Sequence, residues 1–132
     1  MKTNAQNIKL VGRVTYGNGL GRHLGFPTAN VEPSAEMPPI EDGVWAGYAF
    51  VEGKCYPAVI NIGFSPSVVA HGGRRIEAHL VGFEGNIYGR EVVLELRHHL
   101  REERKFPSRE ALVEQIGADK EEALRRLAYD NK

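Results

Sequence analysis

The chain has 132 residues, enough for one domain with a sizeable apolar core, and residues 1–132 are taken as a single domain. Its 17 Lys and Arg residues balance 17 Asp and Glu residues, and this zero net charge argues against nucleic acid or an anionic membrane as a partner. Cys55, the single cysteine, excludes an internal disulfide. A polar N-terminus and the lack of an apolar run of about 18 residues predict a cytoplasmic protein.

The first part of the chain combines one strand with two turn-like segments. Residues 8–14 predict a strand whose Ile8 and Leu10 share one face. A glycine-rich stretch follows, and residues 31–42 then combine three prolines with four acidic residues and show no regular period. We therefore predict that residues 31–42 form a surface loop.

The middle of the chain predicts a hairpin. Residues 44–51 are apolar on both faces, as in a strand that is buried on both sides. Glu52-Gly53 forms a tight turn, and residues 54–62 return as the second strand. Residues 63–73 are rich in turn formers and predict another loop.

Two further strands follow, and both alternate. Residues 75–81 place Ile76, Ala78 and Leu80 on one face, and residues 91–97 form the second strand after a turn. Strands about ten residues apart, with turns between them, favour a closed or sandwiched antiparallel β fold of five or six strands.

The C-terminal part predicts helix. Ser108 precedes a helical pattern that places Leu112 and Ile116 on one face. Gly117 stands where helices commonly end, and Asp119 has the spacing of a cap for a second helix. We therefore predict a helical segment that is broken at Gly117.

The stretch GNGLGRHLGFPTAN, residues 17–30, is the first candidate for binding chemistry. Its glycines permit a close approach of the backbone to an anion, and Arg22 adds a cation suited to phosphate oxygens. It does not match G-x-x-x-x-G-K-[ST], and G-x-G-x-x-G fails at Arg22. A phosphate loop and a simple turn both remain open here.

Thr28 and Asn30 are two residues apart, so an extended strand would direct both side chains to the same face. Together with nucleotide phosphates and water, their neutral oxygens would suit Mg²⁺, a cation that keeps few protein ligands. The alternative is that both side chains only cap a turn.

Glu77 lies on the alternating strand and shares its face with His79. A charged residue on the solvent face of a half-buried strand needs no function. The alternative is a carboxylate in a cleft that acts as a general base on a hydroxyl group.

Two charged or polar runs lie between the last predicted strand and the helix. His98 and His99 are adjacent, so a strand would direct them to opposite faces, and we do not expect a zinc site. LREERKF, residues 100–106, is typical of a solvated surface. It could also grip a planar aromatic ligand or its phosphate through guanidinium stacking and forked hydrogen bonds.

Taken together, the motifs resemble those of the riboflavin kinases, including the kinase domain at the C-terminal end of bacterial bifunctional FAD synthetases. The resemblance covers nearly the whole chain. The matching segments are G-x-V at 12–14, the glycine stretch, LGFPTAN at 24–30, GVWAGYA at 43–49, NIGFSP at 61–66, IEAHL at 76–80, IYG at 87–89, and LR with KF before the ALVEQIGAD helix.

The resemblance implies a mainly β fold, a six-stranded antiparallel Greek-key barrel with a C-terminal helical segment. It also implies phosphorylation of riboflavin by ATP and Mg²⁺, which gives FMN and ADP. Glu77 would be the catalytic base that accepts the proton of the ribityl 5′-hydroxyl. The remaining implied sites are Gly17, Gly19, Gly21, Arg22, Thr28, Leu80 and Tyr88 for the nucleotide, Thr28 and Asn30 for Mg²⁺, and Arg101, Arg104 and Phe106 for the flavin.

Two positions depart from the family pattern: Leu20 stands where arginine is usual, and Gly82 where aspartate is frequent. We therefore expect weakened nucleotide binding. The expected partners are riboflavin and ATP, with no nucleic acid, no membrane, a monomeric state and no adenylyltransferase domain in this chain. Two other functions stay open. One is a flavin- or nucleotide-binding module of the same fold with weakened catalysis, and the other is a small oligonucleotide-binding barrel, which the zero net charge disfavours.

Overall fold

The computed structural model describes residues 7–15, 28–34, 36–64 and 73–130. Within these ranges, six antiparallel strands close into a barrel, and one helix packs on the outer surface. The elements are β1 (Ile8–Thr15), β2 (Ala29–Pro33), β3 (Gly43–Val51), β4 (Lys54–Phe64), β5 (Arg74–Leu80), β6 (Glu91–Arg101) and α1 (Arg109–Asp130). The predicted mainly β barrel with a C-terminal helical segment is confirmed.

The strands follow one another around the barrel in the order β1-β2-β5-β4-β3-β6, and β6 closes on β1. The chain therefore crosses from β2 to β3 without pairing them, as in a Greek key. Between β3 and β4 the predicted tight turn is confirmed, with Glu52 and Gly53 both in the left-handed region at φ 51° and 78°. Two such residues twist a hairpin in the sense that its strands require.

The barrel interior is filled by alternate residues of every strand. Ile76, Ala78 and Leu80 of β5 point inward, which confirms the predicted face. Trp45 is 1% exposed; its indole N–H donates to the Glu41 carbonyl at 2.9 Å. Full burial of a Val, Leu or Ile side chain contributes about 1.5–3 kcal/mol, so this interior provides much of the driving force for folding.

Helix α1 explains why β3 is apolar on both faces. Ala46 lies on the outer face of β3 and is buried against Ala123 and Leu127 of the helix. At the C-terminal end of α1, His98 Nε2 lies 2.6 Å from Asp130 Oδ2. Among the described residues, no helix has both the length and the apolar character needed to cross a bilayer.

The predicted loop over residues 31–42 is wrong at its start, because residues 31–33 belong to β2. Val31 is 5% exposed and pairs with Val14 of β1. Pro33 ends the strand opposite Gly12, where a side chain on β1 would contact Val31 and the Glu32 carbonyl. The prolines of this segment favoured the prediction of a loop. Pro33 is nevertheless tolerated in β2, because the missing N–H of proline costs little at a strand end.

The predicted break at Gly117 is also wrong, because α1 is continuous from Arg109 to Asp130. Ser108 caps the helix as predicted, since its Oγ accepts the Ala111 N–H at 3.1 Å. Asp119 does not cap a second helix; its carboxylate is held by Arg101 of β6. One glycine in a helix costs about 1 kcal/mol, less than the buried apolar contacts of α1 at Ala123 and Leu127 contribute.

Candidate active site

A row of side chains on the outer face of the barrel is centred on Glu77. Its neighbours along β5, Ile76 and Ala78, belong to the interior, so Glu77 faces outward. Asn30 of β2 is directly opposite Glu77 on one side, and Asn61 of β4 is directly opposite it on the other. Directly opposed residues of an antiparallel pair lie on the same face, so a carboxylate stands between two amides.

The row continues around the barrel in both directions. Asn30 pairs with Thr15 of β1, Asn61 pairs with Val44 of β3, and Val44 pairs with Arg101 of β6. Neighbouring strands are about 4.8 Å apart. The positions implied for the metal, for the base and for the flavin side therefore fall on one line across the strands.

Glu77 is partly buried, with 22% of its side chain exposed, and it faces a cation. Arg75 Nε lies 3.1 Å from Glu77 Oε2, within ion-pair distance but outside hydrogen-bond angles, so the contact is chiefly electrostatic. Arg75 Nη2 also reaches Glu103 Oε2 at 3.3 Å. The Glu103 carboxylate lies against Gly63, where an added Cβ would be 2.5 Å from it. Residues 102–108, which we call the β6–α1 loop, are thereby held beside Glu77.

The end of β1 is bonded to the residues that follow Tyr88. The Gly89 N–H donates to the Val14 carbonyl at 2.8 Å, and the Val14 N–H donates to the Arg90 carbonyl at 2.9 Å. Arg13 Nη1 donates to the Gly89 carbonyl at 2.6 Å. Because β1 ends at Thr15, these bonds hold Tyr88 near the C-terminal end of β1.

The implied nucleotide residues differ in how far the structure describes them. Gly17, Gly19, Gly21 and Arg22 lie outside the described residues. Thr28 is exposed and lies immediately before β2. Tyr88 is 49% exposed, so its side chain is accessible to a ligand. Leu80 is 8% exposed and packs in the interior, so little of its surface is open to a ligand.

Thr28 and Asn30 fit Mg²⁺ by the chemistry of their donors. Among the described residues, no three His, Cys, Asp or Glu side chains are grouped so that they could hold a metal ion. The neutral oxygens of Thr28 and Asn30 would therefore supplement phosphate oxygens. Mg²⁺ is usually bound in this way, through few protein ligands and a nucleotide.

The implied flavin residues form one network with α1. Arg101 donates from Nε and Nη2 to the Asp119 carboxylate, at 3.0 and 2.8 Å. Gln115 Nε2 donates to the same carboxylate at 2.9 Å, and the Gln115 side-chain oxygen accepts from Arg104 Nη2. The guanidinium carbons of Arg101 and Arg104 lie 5.7 and 5.2 Å from the centroid of the Phe106 ring. Both arginines are thus held against one aromatic ring.

A cavity of about 360 Å³ opens between the β6–α1 loop and the helix. Residues 104–107 form one wall, and residues 111–118 of α1 contribute the other. Its lining combines the Phe106 ring with the cations of Arg104 and Lys105. Small-molecule sites commonly have volumes of about 300–1,000 Å³, so an aromatic ring system of moderate size can be accommodated.

Comparison with known families identifies the family of this chain. The riboflavin kinase family model, Flavokinase, matches residues 4–127. This chain belongs to the riboflavin kinase family. It is 40% identical over 112 residues to a bifunctional riboflavin kinase/FMN adenylyltransferase of Pseudomonas fluorescens, covering 85% of this chain and 36% of that protein.

Two solved structures share the fold of this family member. A macrolide-efflux protein from Streptococcus pneumoniae superposes with a TM-score of 0.78 at 32% identity, over 86% of this chain and 37% of that one. Riboflavin kinase from Trypanosoma brucei gives a TM-score of 0.71 at 23% identity, over 96% of this chain and 83% of that one. The chain spans about a third of the length of the bifunctional relative, so the matched unit also occurs within longer proteins.

The sequence alone did not point to three residues of the candidate site of this family member. Asn61, Arg75 and Glu103 each stand beside Glu77 or its ion pair. Asn61 carried one signal, because it is a polar residue between Ile60 and Ile62 in an otherwise apolar strand. The contacts of Arg75 and Glu103 depend on pairing between distant segments, which the local pattern does not show.

Proposed function

We propose that this chain transfers the γ-phosphoryl group of ATP to the ribityl 5′-hydroxyl of riboflavin and so forms FMN and ADP. The observation that carries this proposal is the position of Glu77: partly buried, directly opposite Asn30, and in line with Arg101 on the flavin side. A partly buried carboxylate between the proposed nucleotide side and the proposed flavin side is better placed to act as a base than a carboxylate that faces solvent.

Glu77 accepts the proton of the 5′-hydroxyl while the oxygen of that hydroxyl attacks the γ-phosphorus. A bond forms between that oxygen and phosphorus, the bond from phosphorus to the β,γ-bridging oxygen breaks, and ADP leaves. Phosphoryl transfer depends mainly on alignment and on charge stabilisation, so a positioned carboxylate is sufficient as the base. The Arg75 contact keeps that carboxylate in one place between reactions.

The nucleotide lies on the side of the row formed by β1 and β2. Gly17, Gly19, Gly21 and Arg22 surround its phosphates, with Tyr88 beside them. Thr28 and Asn30 would hold Mg²⁺ together with the phosphates. Mg²⁺, when bound, neutralises charge on the phosphates during transfer. The direct opposition of Asn30 and Glu77 supports this arrangement, because it sets the metal-bound phosphate next to the base.

The flavin ring lies on the other side of the row, in the cavity beside Phe106. Arg104 and Phe106 contact the ring through their stacked faces. Arg101 belongs to the same side, where its bonds to Asp119 keep the start of the β6–α1 loop on the helix. The volume of the cavity and its aromatic and cationic lining support this assignment.

The test is incubation of the purified chain with riboflavin, ATP and Mg²⁺, followed by separation of flavins and nucleotides. We expect FMN and ADP in equal amounts, with no ADP when riboflavin is omitted. Flavin binding without turnover would contradict the kinase assignment and favour a binding module of the same fold. Absence of both binding and turnover would contradict any flavin-related function.

A further inference from the structure

Asn61 carries a polar atom that the structure leaves without a partner. Among the described residues, its Oδ1 is buried and accepts no hydrogen bond. A buried acceptor without a partner costs about 1–3 kcal/mol, so native proteins seldom keep one without a use. The atom lies on the outer face of the barrel, where β4 is directly opposite Glu77.

The position of Asn61 in the row indicates which part of the substrate its oxygen could contact. On one side stands Glu77, the proposed base, and beyond Val44 on the other side stands Arg101, on the proposed flavin side. The ribityl chain is the part of riboflavin that joins the reacting hydroxyl to the ring. Any ribityl chain that spans these two regions passes over Asn61.

The β6–α1 loop lies over the outward-facing position next to Asn61 on β4. Gly63 is the next outward-facing position along β4, and the Glu103 carboxylate of that loop lies on it. The same loop forms one wall of the flavin cavity. The β6–α1 loop therefore connects the outer face of β4 beside Asn61 with the proposed flavin cavity.

We propose that Asn61 is a positioning residue whose Oδ1 accepts a hydrogen bond from a secondary hydroxyl of the ribityl chain. The proposal rests on the proposed function. An amide oxygen is neutral and only weakly basic, so it orients a hydroxyl without competing with Glu77 for the transferred proton. The bond also makes Asn61 a determinant of specificity, because it favours a polyol chain over an alkyl chain.

The experiment compares two substrates in three proteins. The substrates are riboflavin and 7,8-dimethyl-10-(5-hydroxypentyl)isoalloxazine, which keeps the ring and the terminal alcohol but lacks the three secondary hydroxyls. The proteins are the wild type, Asn61→Leu and Asn61→Asp. The three side chains share one shape, but leucine removes the acceptor and aspartate keeps it. The readout is the ratio of kcat/KM for riboflavin to kcat/KM for the analogue.

We expect Asn61→Leu to lower this ratio by about 2- to 12-fold, the contribution of one neutral hydrogen bond. Asn61→Asp keeps an acceptor and should not lower the ratio. A purely structural role would change both substrates alike. An unchanged ratio in Asn61→Leu would overturn the role of Asn61 and leave the kinase function standing. A wild type that forms no FMN would overturn both. If Asn61→Leu does not fold, Asn61→Ala repeats the comparison with no added apolar volume.

Discussion

Asn30 and Glu77 are directly opposed on β2 and β5, so the implied metal ligand and the implied base share one cross-strand position. Directly opposed residues have Cβ atoms about 4.5–5.5 Å apart. In the proposed reaction, a phosphate held through a cation at Asn30 would therefore be adjacent to a hydroxyl held by Glu77. Neither position can be moved without shifting the register of β2 on β5.

Replacement of Glu77 by glutamine should abolish most of the turnover and leave the fold intact. Glutamine keeps the size of the side chain but cannot accept the proton, and loss of a positioned base typically lowers the rate about 10²–10⁴-fold. FMN formation at saturating riboflavin and ATP measures the effect, and thermal unfolding checks the fold. Turnover close to that of the wild type would exclude Glu77 as the base.

Glu95→Gln is a matched control. Glu95 also lies on the outer face of a strand, and its Oε1 is 3.1 Å from Nη1 of Arg97, two residues along the same strand. The Arg75–Glu77 pair has the same spacing and a contact of 3.1 Å. Glu95 is far from Asn30 in the register, since it pairs with Lys9 and Tyr48. We therefore expect normal turnover in this variant.

The alternation of residues along single strands was sufficient to predict the faces of the barrel. Ile76 and Ala78 repeat every second residue, and this local property shows that Glu77 faces outward. The partners of Glu77 could not be found in this way, because the opposition of Asn61 depends on which strands pair and in which register. The spacing of the residues and the resemblance to riboflavin kinases indicated Asn30 and Glu77 as candidate site residues, but not the line that connects them.

The same limit explains the error at α1. Gly117 and Asp119 are local signals for the end of one helix and the start of another. The Asp119 carboxylate instead forms an ion pair with Arg101, 18 residues earlier on β6. A tertiary ion pair of this kind overrides local propensity and leaves no periodic trace in the sequence.

Glu103→Gln should raise the KM for riboflavin about 2- to 5-fold with little change in kcat. Loss of the carboxylate charge weakens the contact with Arg75 that holds the β6–α1 loop, and partly exposed ion pairs contribute about 0.2–1 kcal/mol. The Arg75–Glu77 contact remains. Glu102→Gln, one residue earlier in the same loop, is the control. Within the part of the chain that the structure describes, Glu102 bonds only through its backbone carbonyl, which accepts from Arg101. A fall in kcat at constant KM would show that Glu103 acts on the base rather than on the loop.

Cys55 should react slowly with alkylating reagents at neutral pH. Burial, and secondly the negative charge of Glu95, raise the pKa of the Cys55 thiol above its ordinary value. The reactive thiolate is therefore scarcer than in a free thiol at the same pH. Iodoacetamide labelling followed by mass spectrometry between pH 6 and 10 should give a midpoint above that of glutathione. Glu95→Gln should move the midpoint slightly down, and an unshifted wild-type midpoint would contradict the effect of burial.

Arg101→Met should destabilise the protein strongly, because it leaves the Asp119 carboxylate without its cation. The Asp119 side chain is 7% exposed, and removing one partner of a buried ion pair costs about 3–5 kcal/mol. The double variant Arg101→Met/Asp119→Leu removes both charges and should recover most of the free energy of unfolding. Urea unfolding of the two variants and the wild type measures the difference.

The double variant also separates the two roles that Arg101 could have in flavin binding. Its guanidinium is held by Asp119, and it reaches the Phe106 ring only at 5.7 Å. If Arg101 acts by fixing the loop on α1, the refolded double variant should bind riboflavin within about 3-fold of the wild type, because apolar contact replaces the ion pair at the same place. Flavin fluorescence quenching measures the affinity. A stable double variant that no longer binds riboflavin would show instead that the guanidinium itself contacts the flavin.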